Sequence, residues 1–388
     1  MIKLSADKKP ILKKLLKWVD SEKPKKAYIT LGGYAGTGKT TLISVFRKIL
    51  YKKKKKVKVA FVSFTGKAAR VLKYKIKKAE ANYKGDFIGT IHSLIYSPVL
   101  NSREEIVGWD KKDDVEADLI IIDEASMVDR KIWNDLLSYK IPILAVGDHG
   151  QLPPISGNFN LMEDPMLRLE KIHRQIQDNP IIKLSILARE KGEIPFNEFS
   201  PTVKKIKRHS SIAREEIEEL LAAYNEDTLI LSGYNNTRIK LNKFVRQALE
   251  FQSPTPEIRD RVICLRNNPT KEIYNGMLGT IVSMENVDQD WYFAEIEMDG
   301  EEKLYKGLIS VKQFNNKEQI NFTKKRSKVN KGDLFDFGYA LTVHKAQGSQ
   351  AKRVILFEER FKQMDDEMWK RWLYTAVTRA EKELYIIA

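Results

Sequence analysis

The chain has 388 residues, 42% hydrophobic and 10% aromatic, a composition that excludes collagen-like, low-complexity and wholly disordered proteins. Lys plus Arg number 68 against 52 Asp plus Glu, a formal charge of +16, and such a surplus favours a polyanionic partner, nucleic acid above all, through phosphate neutralisation and counterion release. A single cysteine, Cys264, excludes a disulfide framework and any zinc site built on several thiolates. It points to a reducing, cytoplasmic setting. No apolar run approaches the roughly 18 residues that a membrane span needs, so no membrane is expected among the partners.

In chain order, the N-terminal stretch MIKLSADKKPILKKLLKW reads as an amphipathic helix, since lysines recur every three or four residues among its apolar positions. Short apolar runs then follow at 27–33, 58–64, 118–122, 141–146, 228–231, 353–357 and 383–387, separated by helical patterns such as 39–50. This alternation predicts an α/β protein with parallel sheets covered by helices on both faces, the theme occurring twice. Residues 258–320 break the rhythm with short strands and turn residues, which predicts a small β module inserted in the second α/β region. The shorter interruption at 93–118 suits a β-hairpin on the first. Lys52–Lys56 read as a solvated turn whose cations offset a helix C-terminal dipole.

Three strand ends carry phosphate chemistry. Gly33–Thr40, GYAGTGKT, fits G-x-x-x-x-G-K-[ST] between a strand and a helix. Gly33, Gly36 and Gly38 let the amides of the loop, with Thr37 and Thr41, surround phosphates at a helix N-terminus. Lys39 supplies a mobile cation to the β and γ phosphates, and Thr40 a hydroxyl for Mg²⁺. In DLIIIDEA, Asp123 emerges at the end of a buried strand to hold the Mg²⁺, with Glu124 beside it to accept a proton from water. In AVGDHGQLPPI, Gln151 carries donor and acceptor on one group, fit to sense a γ phosphate, and Pro153 and Pro154 stiffen the exit. The expected cofactors are therefore ATP and Mg²⁺.

Nine blocks in order resemble superfamily 1B DNA helicases of the RecD-like and Dda-type branch. They are GYAGTGKT, SFTGKAA, GTIHSLI, IIIDEAS, AVGDHGQLPPI, LEKIHRQ, NNTRIKLN, ALTVHKAQGSQ and YTAVTRA. The resemblance implies two RecA-like domains, the first at 1–92 and 117–176 and the second at 177–257 and 334–388. It also implies a pin hairpin at 93–116 and an SH3-like insertion at 258–333. It makes Arg174 and Arg379 the arginines that reach the γ phosphate, and puts Gly348 in the nucleotide pocket. It lays single-stranded DNA over Thr65, Lys67, Thr90, His92, Pro153, Asn236, Arg238, Thr342, His344 and Lys345. Trp109, on the pin, either stacks on the last base pair or anchors the hairpin. Where the branch carries an adenine-reading glutamine, LSADKK places Lys8 or Lys9, and an ammonium group lacks the paired donor and acceptor that adenine asks for.

The function so implied is an ATP-dependent helicase that moves 5′ to 3′ on single-stranded DNA and opens single-strand/duplex junctions, working as a monomer in a prokaryotic or phage-infected cell alongside replication or repair proteins. An RNA or hybrid helicase, and an ATP-switched remodeller that does not unwind, are the alternatives.

Overall fold

The computed structural model describes residues 4–20, 26–100, 106–154, 159–171, 179–209, 211–317 and 331–388. They form two compact units, the first from Met1–Val99 and Gly108–Ile182, the second built on Lys183–Ala388.

The first unit begins with helix α1 (Lys8–Asp20), followed by β1 (Tyr28–Gly33), α2 (Lys39–Lys53), β2 (Val59–Ser63), α3 (Gly66–Lys78), β3 (Phe87–Thr90) and α4 (Ile91–Ile95). A two-stranded hairpin of β4 (Tyr96–Leu100) and β5 (Ile106–Lys111) comes next. Then follow β6 (Leu119–Asp123), α5 (Arg130–Ser138), β7 (Ile143–Gly147) and β8 (Leu167–Leu169). Six strands form one parallel sheet in the order β3-β2-β6-β7-β1-β8.

The uninterrupted apolar runs follow from burial on both faces, since successive residues of a strand point to opposite sides. Phe61, Leu119, Ile121, Leu144 and Val146 pack with Leu15, Leu42, Phe46 and Leu72 of α1, α2 and α3. Their neighbours Ala60, Val62, Ile120, Ile122 and Ala145 pack on the other side with Ile91, Ile132, Trp133 and Leu136 of α4 and α5. The lysine run lies at the solvated end of α2, where Lys53 and Lys54 pair with Asp20 of α1.

The second unit contains α6 (Pro180–Lys191), β9 (Glu198–Ser200), β10 (Val203–Ile206), α7 (Ser211–Ala222), β11 (Thr228–Ser232) and α8 (Asn235–Ala248). After β12 (Arg261–Cys264), β13 (Leu278–Asn286), β14 (Trp291–Met298), β15 (Tyr305–Ser310) and β16 (Phe335–Phe337), the chain returns through β17 (Ala340–Thr342), β18 (Ala351–Phe357), α9 (Asp366–Val377) and β19 (Ala380–Ile387). A six-stranded sheet runs β17-β11-β18-β19-β10-β9, parallel except for the β9–β10 pair. A five-stranded antiparallel sheet runs β15-β14-β13-β12-β16. One apolar cluster serves both: Ile230, Val245 and Ile355 of the α/β layer pack with Val262, Ile281, Ile296 and Phe335 of the antiparallel sheet. The inserted strands therefore share a core with the sheet they interrupt. Cys264 is fully buried there, and burial pushes its thiol up to about 12, far from reactive.

Candidate nucleotide and nucleic-acid sites

In the first sheet β7 lies between β1 and β6, and the register pairs Gly32 with Gly147 and Ile122 with Ala145. The carboxyl ends of three neighbouring strands thereby meet at one edge, Gly33 beside Asp148 and Asp123 two residues further back, beside Val146. Ligands of open parallel sheets bind at this edge.

The loop after β1 is shaped by two glycines with positive φ, Gly36 at 77° and Gly38 at 78°. Gly38 caps α2 with no side-chain hydrogen bond, so no side chain competes for the first-turn amides of a 15-residue helix. Space is tight as well as open: a Cβ on Gly33 would stand 2.7 Å from Thr37 Oγ1, which is why the strand must end in glycine. Buried Thr37 donates its hydroxyl to Tyr34 O at 2.8 Å and braces the turn. Lys39 folds back over the loop, donating from Nζ to Gly33 O at 2.6 Å and to Tyr34 O at 3.2 Å, with Asp148 Oδ2 at 4.0 Å. Thr40 and exposed Thr41 open the helix behind it.

Across from this cation lie the carboxylates. Burial, and then the neighbouring charge of Glu124, push Asp123 up to about 6, while Lys39 pulls it back. Glu124 takes a left-handed backbone, φ 54°, which turns it out of the strand line. Its Oε2 and Ser126 Oγ are buried without a hydrogen-bond partner among the described residues. A buried, destabilised carboxylate beside an unsatisfied one suits a divalent cation and an attacking water. Among the described residues no cluster of His, Cys, Asp and Glu forms an all-protein metal cage. Magnesium commonly takes only one or two carboxylates and completes its shell with substrate phosphates and water.

Asp148 was not singled out by the sequence reading, although it stands inside the AVGDHGQ block. It is 1% exposed, between the lysine and the loop that carries Gln151. Its Oδ1 accepts from Gly150 N at 3.0 Å and its carbonyl from Gln151 N at 3.2 Å, so it fixes the turn that presents the buried Gln151. The Tyr34 and His149 rings lie 4.2 Å apart, joining the phosphate loop to the same turn.

In the second unit Arg379 precedes β19 and is 3% exposed. It donates to Thr375 O at 2.9 Å, Ser349 O at 3.1 Å and Thr378 Oγ1 at 3.2 Å, all neutral acceptors. Nearby Gly348 has a φ of 74°. Arg174 lies outside the described residues.

The nucleic-acid candidates divide between the units. Thr65 caps α3 by accepting from Ala68 N, with half-buried Lys67 in the first turn. Thr90 is buried, its hydroxyl closing a capping box with Ser93 at the start of α4. That cap orients His92, which sits between the rings of Phe64 and Tyr96 at 6.2 and 5.4 Å and is held below the usual histidine range by burial. Pro153 is half-buried after Gln151, and Trp109 on β5 is 37% exposed.

On the second unit Asn236 is exposed in the first turn of α8. Thr342 ends β17 and His344 and Lys345 follow it, with Lys345 N donating to Thr342 Oγ1 at 3.4 Å. Burial lowers both His344 and Lys345, the latter also through Arg238. Arg238 requires a correction. It is 2% exposed, and its guanidinium is bound to Asp336 at 2.8 Å, Asn316 O at 3.0 Å and Asn235 Oδ1 at 3.3 Å. It ties α8 to β16 inside the unit and does not line a surface. Lys8, at the position of the expected glutamine, is buried, with Nζ donating to Ser5 Oγ at 3.0 Å, whereas Lys9 is exposed.

Known proteins resemble this chain in sequence and in fold. Residues 17–157 match the AAA domain family, and residues 337–387 match the UvrD-like helicase C-terminal domain. The chain is 24% identical to RecBCD enzyme subunit RecD of Buchnera aphidicola, over 93% of this chain and 70% of that protein. It is 25% identical to the ATP-dependent RecD2 DNA helicase of Deinococcus radiodurans, over 92% of this chain and 46% of the relative. With the ATP-dependent DNA helicase dda of Enterobacteria phage T4 it shares 23% identity, over 94% of this chain and 95% of that one. The fold matches Pif1 helicase from Bacteroides, solved with ADP-AlF3 and single-stranded DNA, at a TM-score of 0.57, 17% identity, and coverage of 100% of this chain and 92% of that chain. Over nearly its whole length the chain is thus similar to superfamily 1B helicases of the RecD-like and Dda-type branch.

Proposed function

We propose that this ATP-dependent DNA helicase moves 5′ to 3′ along a single strand and opens single-strand/duplex junctions, each ATP hydrolysed on the first unit's sheet edge being one mechanical step. The observation that carries this reading is the meeting of Lys39, at the start of α2, with Asp148, Asp123 and Glu124 at the ends of two adjacent strands.

The open first turn of α2 takes the phosphates, and Lys39 leaves its own loop carbonyls for the β and γ oxygens. Thr40 and Asp123 would hold Mg²⁺, whose charge, when bound, neutralises the transferring phosphoryl group. Glu124 has an unsatisfied buried oxygen ready to accept the proton of the attacking water. Gln151, fixed by Asp148, orients that water. Arg379 is the finger for the γ phosphate, its buried charge having only neutral acceptors among the described residues. Arg174 is assigned the same role.

DNA contact falls to Thr65, Lys67, His92, Pro153, Asn236, Thr342, His344 and Lys345, through hydroxyls, amides and lysines that touch phosphate without reading sequence. Lys8 in place of a base-reading amide relaxes the preference for adenine. Both halves of the motor lie on one chain, which is taken to act as a monomer.

Forked duplexes with only a 5′ or only a 3′ tail test the direction: unwinding is expected from the 5′ tail. Lys39→Ala is expected to lower the DNA-stimulated ATPase by about 10²- to 10³-fold while holding single-strand affinity within a few-fold. Equal activity on both tails, or loss of DNA binding in step with ATPase, overturns the reading.

A further inference from the structure

The hairpin of β4 and β5 is a two-stranded sheet, and two strands alone are marginal in water. A strand separator has to withstand the duplex it is pushed against, so its stiffness must come from its root. The root is held by side chains that none of the family blocks contain. Tyr139, the residue that ends α5, points its hydroxyl at both legs of the hairpin, 3.1 Å from Ile95 O and 2.7 Å from Lys112 O. One phenolic proton is thus shared between carbonyls that flank the two strands, and burial raises the Tyr139 pKa, so that proton stays in place.

Around it, Tyr96 at the base of β4 donates to Asp135 Oδ2 of α5 at 2.5 Å. Lys111 at the end of β5 donates to Ser138 Oγ at 2.8 Å and lies over the Tyr139 ring at 5.3 Å. Lys112 closes the base, its amide donating to Ile95 O at 2.9 Å and its Nζ to Ser93 O at 2.8 Å. Helix α5 itself begins six residues after Glu124, capped by Asp129, whose side chain accepts from Ile132 N. The strand bearing the acidic residues and the hairpin root therefore belong to one stretch of packed chain, with Ile132, Trp133 and Leu136 of α5 buried against β6 and β7.

We infer that Tyr139, with the Tyr96–Asp135 pair, is a positioning clamp that stiffens the β4–β5 hairpin for strand separation. This rests on the reading of the hairpin as the separator, and the test keeps the two apart. Four variants of the full chain are compared with the parent for unwinding of AT-rich and GC-rich forks, for movement along single strands and for single-strand-stimulated ATPase. Tyr139→Phe keeps the ring and removes the clamp. Asp135→Asn keeps an acceptor for Tyr96, whereas Asp135→Ala does not. In the fourth variant, residues 97–110 are replaced by two glycines.

Tyr139→Phe and Asp135→Ala are each expected to slow unwinding about three- to tenfold, the size of one lost neutral hydrogen bond. The slowing should be larger on GC-rich forks, with ATPase and single-strand movement unchanged and Asp135→Asn close to the parent. A merely structural role would lower all activities together, or none, and would not depend on base composition. If the hairpin deletion abolishes unwinding while Tyr139→Phe and Asp135→Ala leave it at the parental rate on both forks, the clamp is wrong and the separator stands. If the deletion itself unwinds normally, the separator is wrong and the clamp falls with it.

Discussion

Two regions of the second unit each bury an arginine almost completely, and they do so by opposite means. Where α8 meets β16, Arg238 is neutralised by Asp336 at 2.8 Å and is 2% exposed. At the start of β19, Arg379 is 3% exposed and donates to three neutral oxygens. A buried cation with a carboxylate partner is satisfied where it stands. One held, among the described residues, by carbonyls and a hydroxyl is positioned without a carboxylate partner, which suits an anion that arrives and leaves. Two arginines inside family blocks thus acquire different meanings from their acceptors alone.

The sharpest way to break this contrast is Arg379→Ala. As a finger for the γ phosphate it is expected to lower kcat for ATP by about 10³- to 10⁵-fold, with the folded state retained because only neutral acceptors are vacated. A loss of less than tenfold, measured under saturating single-stranded DNA, would remove it from the site. Arg238→Ala should do the reverse. It leaves Asp336 buried and alone, a loss of about 3–5 kcal/mol, read as a lower urea or thermal midpoint of the full chain. Replacing Arg238 and Asp336 together by apolar residues should restore much of that loss, whereas a surface DNA contact would show undiminished stability and weaker DNA binding.

The smallest effect concerns the first unit. Asp123 has a folded pKa near 6 against an ordinary 3.8, so its ionisation opposes folding in the metal-free protein. That protein should gain stability as the pH falls from about 6 towards 4, where the raised group takes up its proton. Magnesium needs the ionised form. Its apparent affinity is expected to fall by up to about tenfold per pH unit below 6, with proton release on binding, and ATPase should show an acid limb in the same window. Calorimetric titration of Mg²⁺ into the nucleotide-bound protein at pH 5, 6 and 7 checks this; pH-independent binding would show that Asp123 is not a ligand.

Much of the α/β class was legible because it rests on local pattern. The apolar runs at 27–33, 58–64, 118–122 and 141–146 are long enough only for strands, and they coincide with β1, β2, β6 and β7. The phosphate loop was legible because its glycines answer to backbone geometry, as Gly36 and Gly38 show with their positive φ. Arg238 was not, because a motif records residue type and spacing but not the partner that comes from 98 residues away at Asp336. Asp148 was overlooked for a related reason: its importance lies in a 4.0 Å approach to Lys39 across two strands, which only the sheet order creates. Tyr139 and Asp135 belong to no block at all, and their role emerges from carbonyls that meet them only after the hairpin is folded back on α5.

Lys39 donates to the carbonyls of Gly33 and Tyr34, so the phosphate loop supplies its own cation with two neutral acceptors. A triphosphate has only to outbid two peptide oxygens for a side chain already held at the loop.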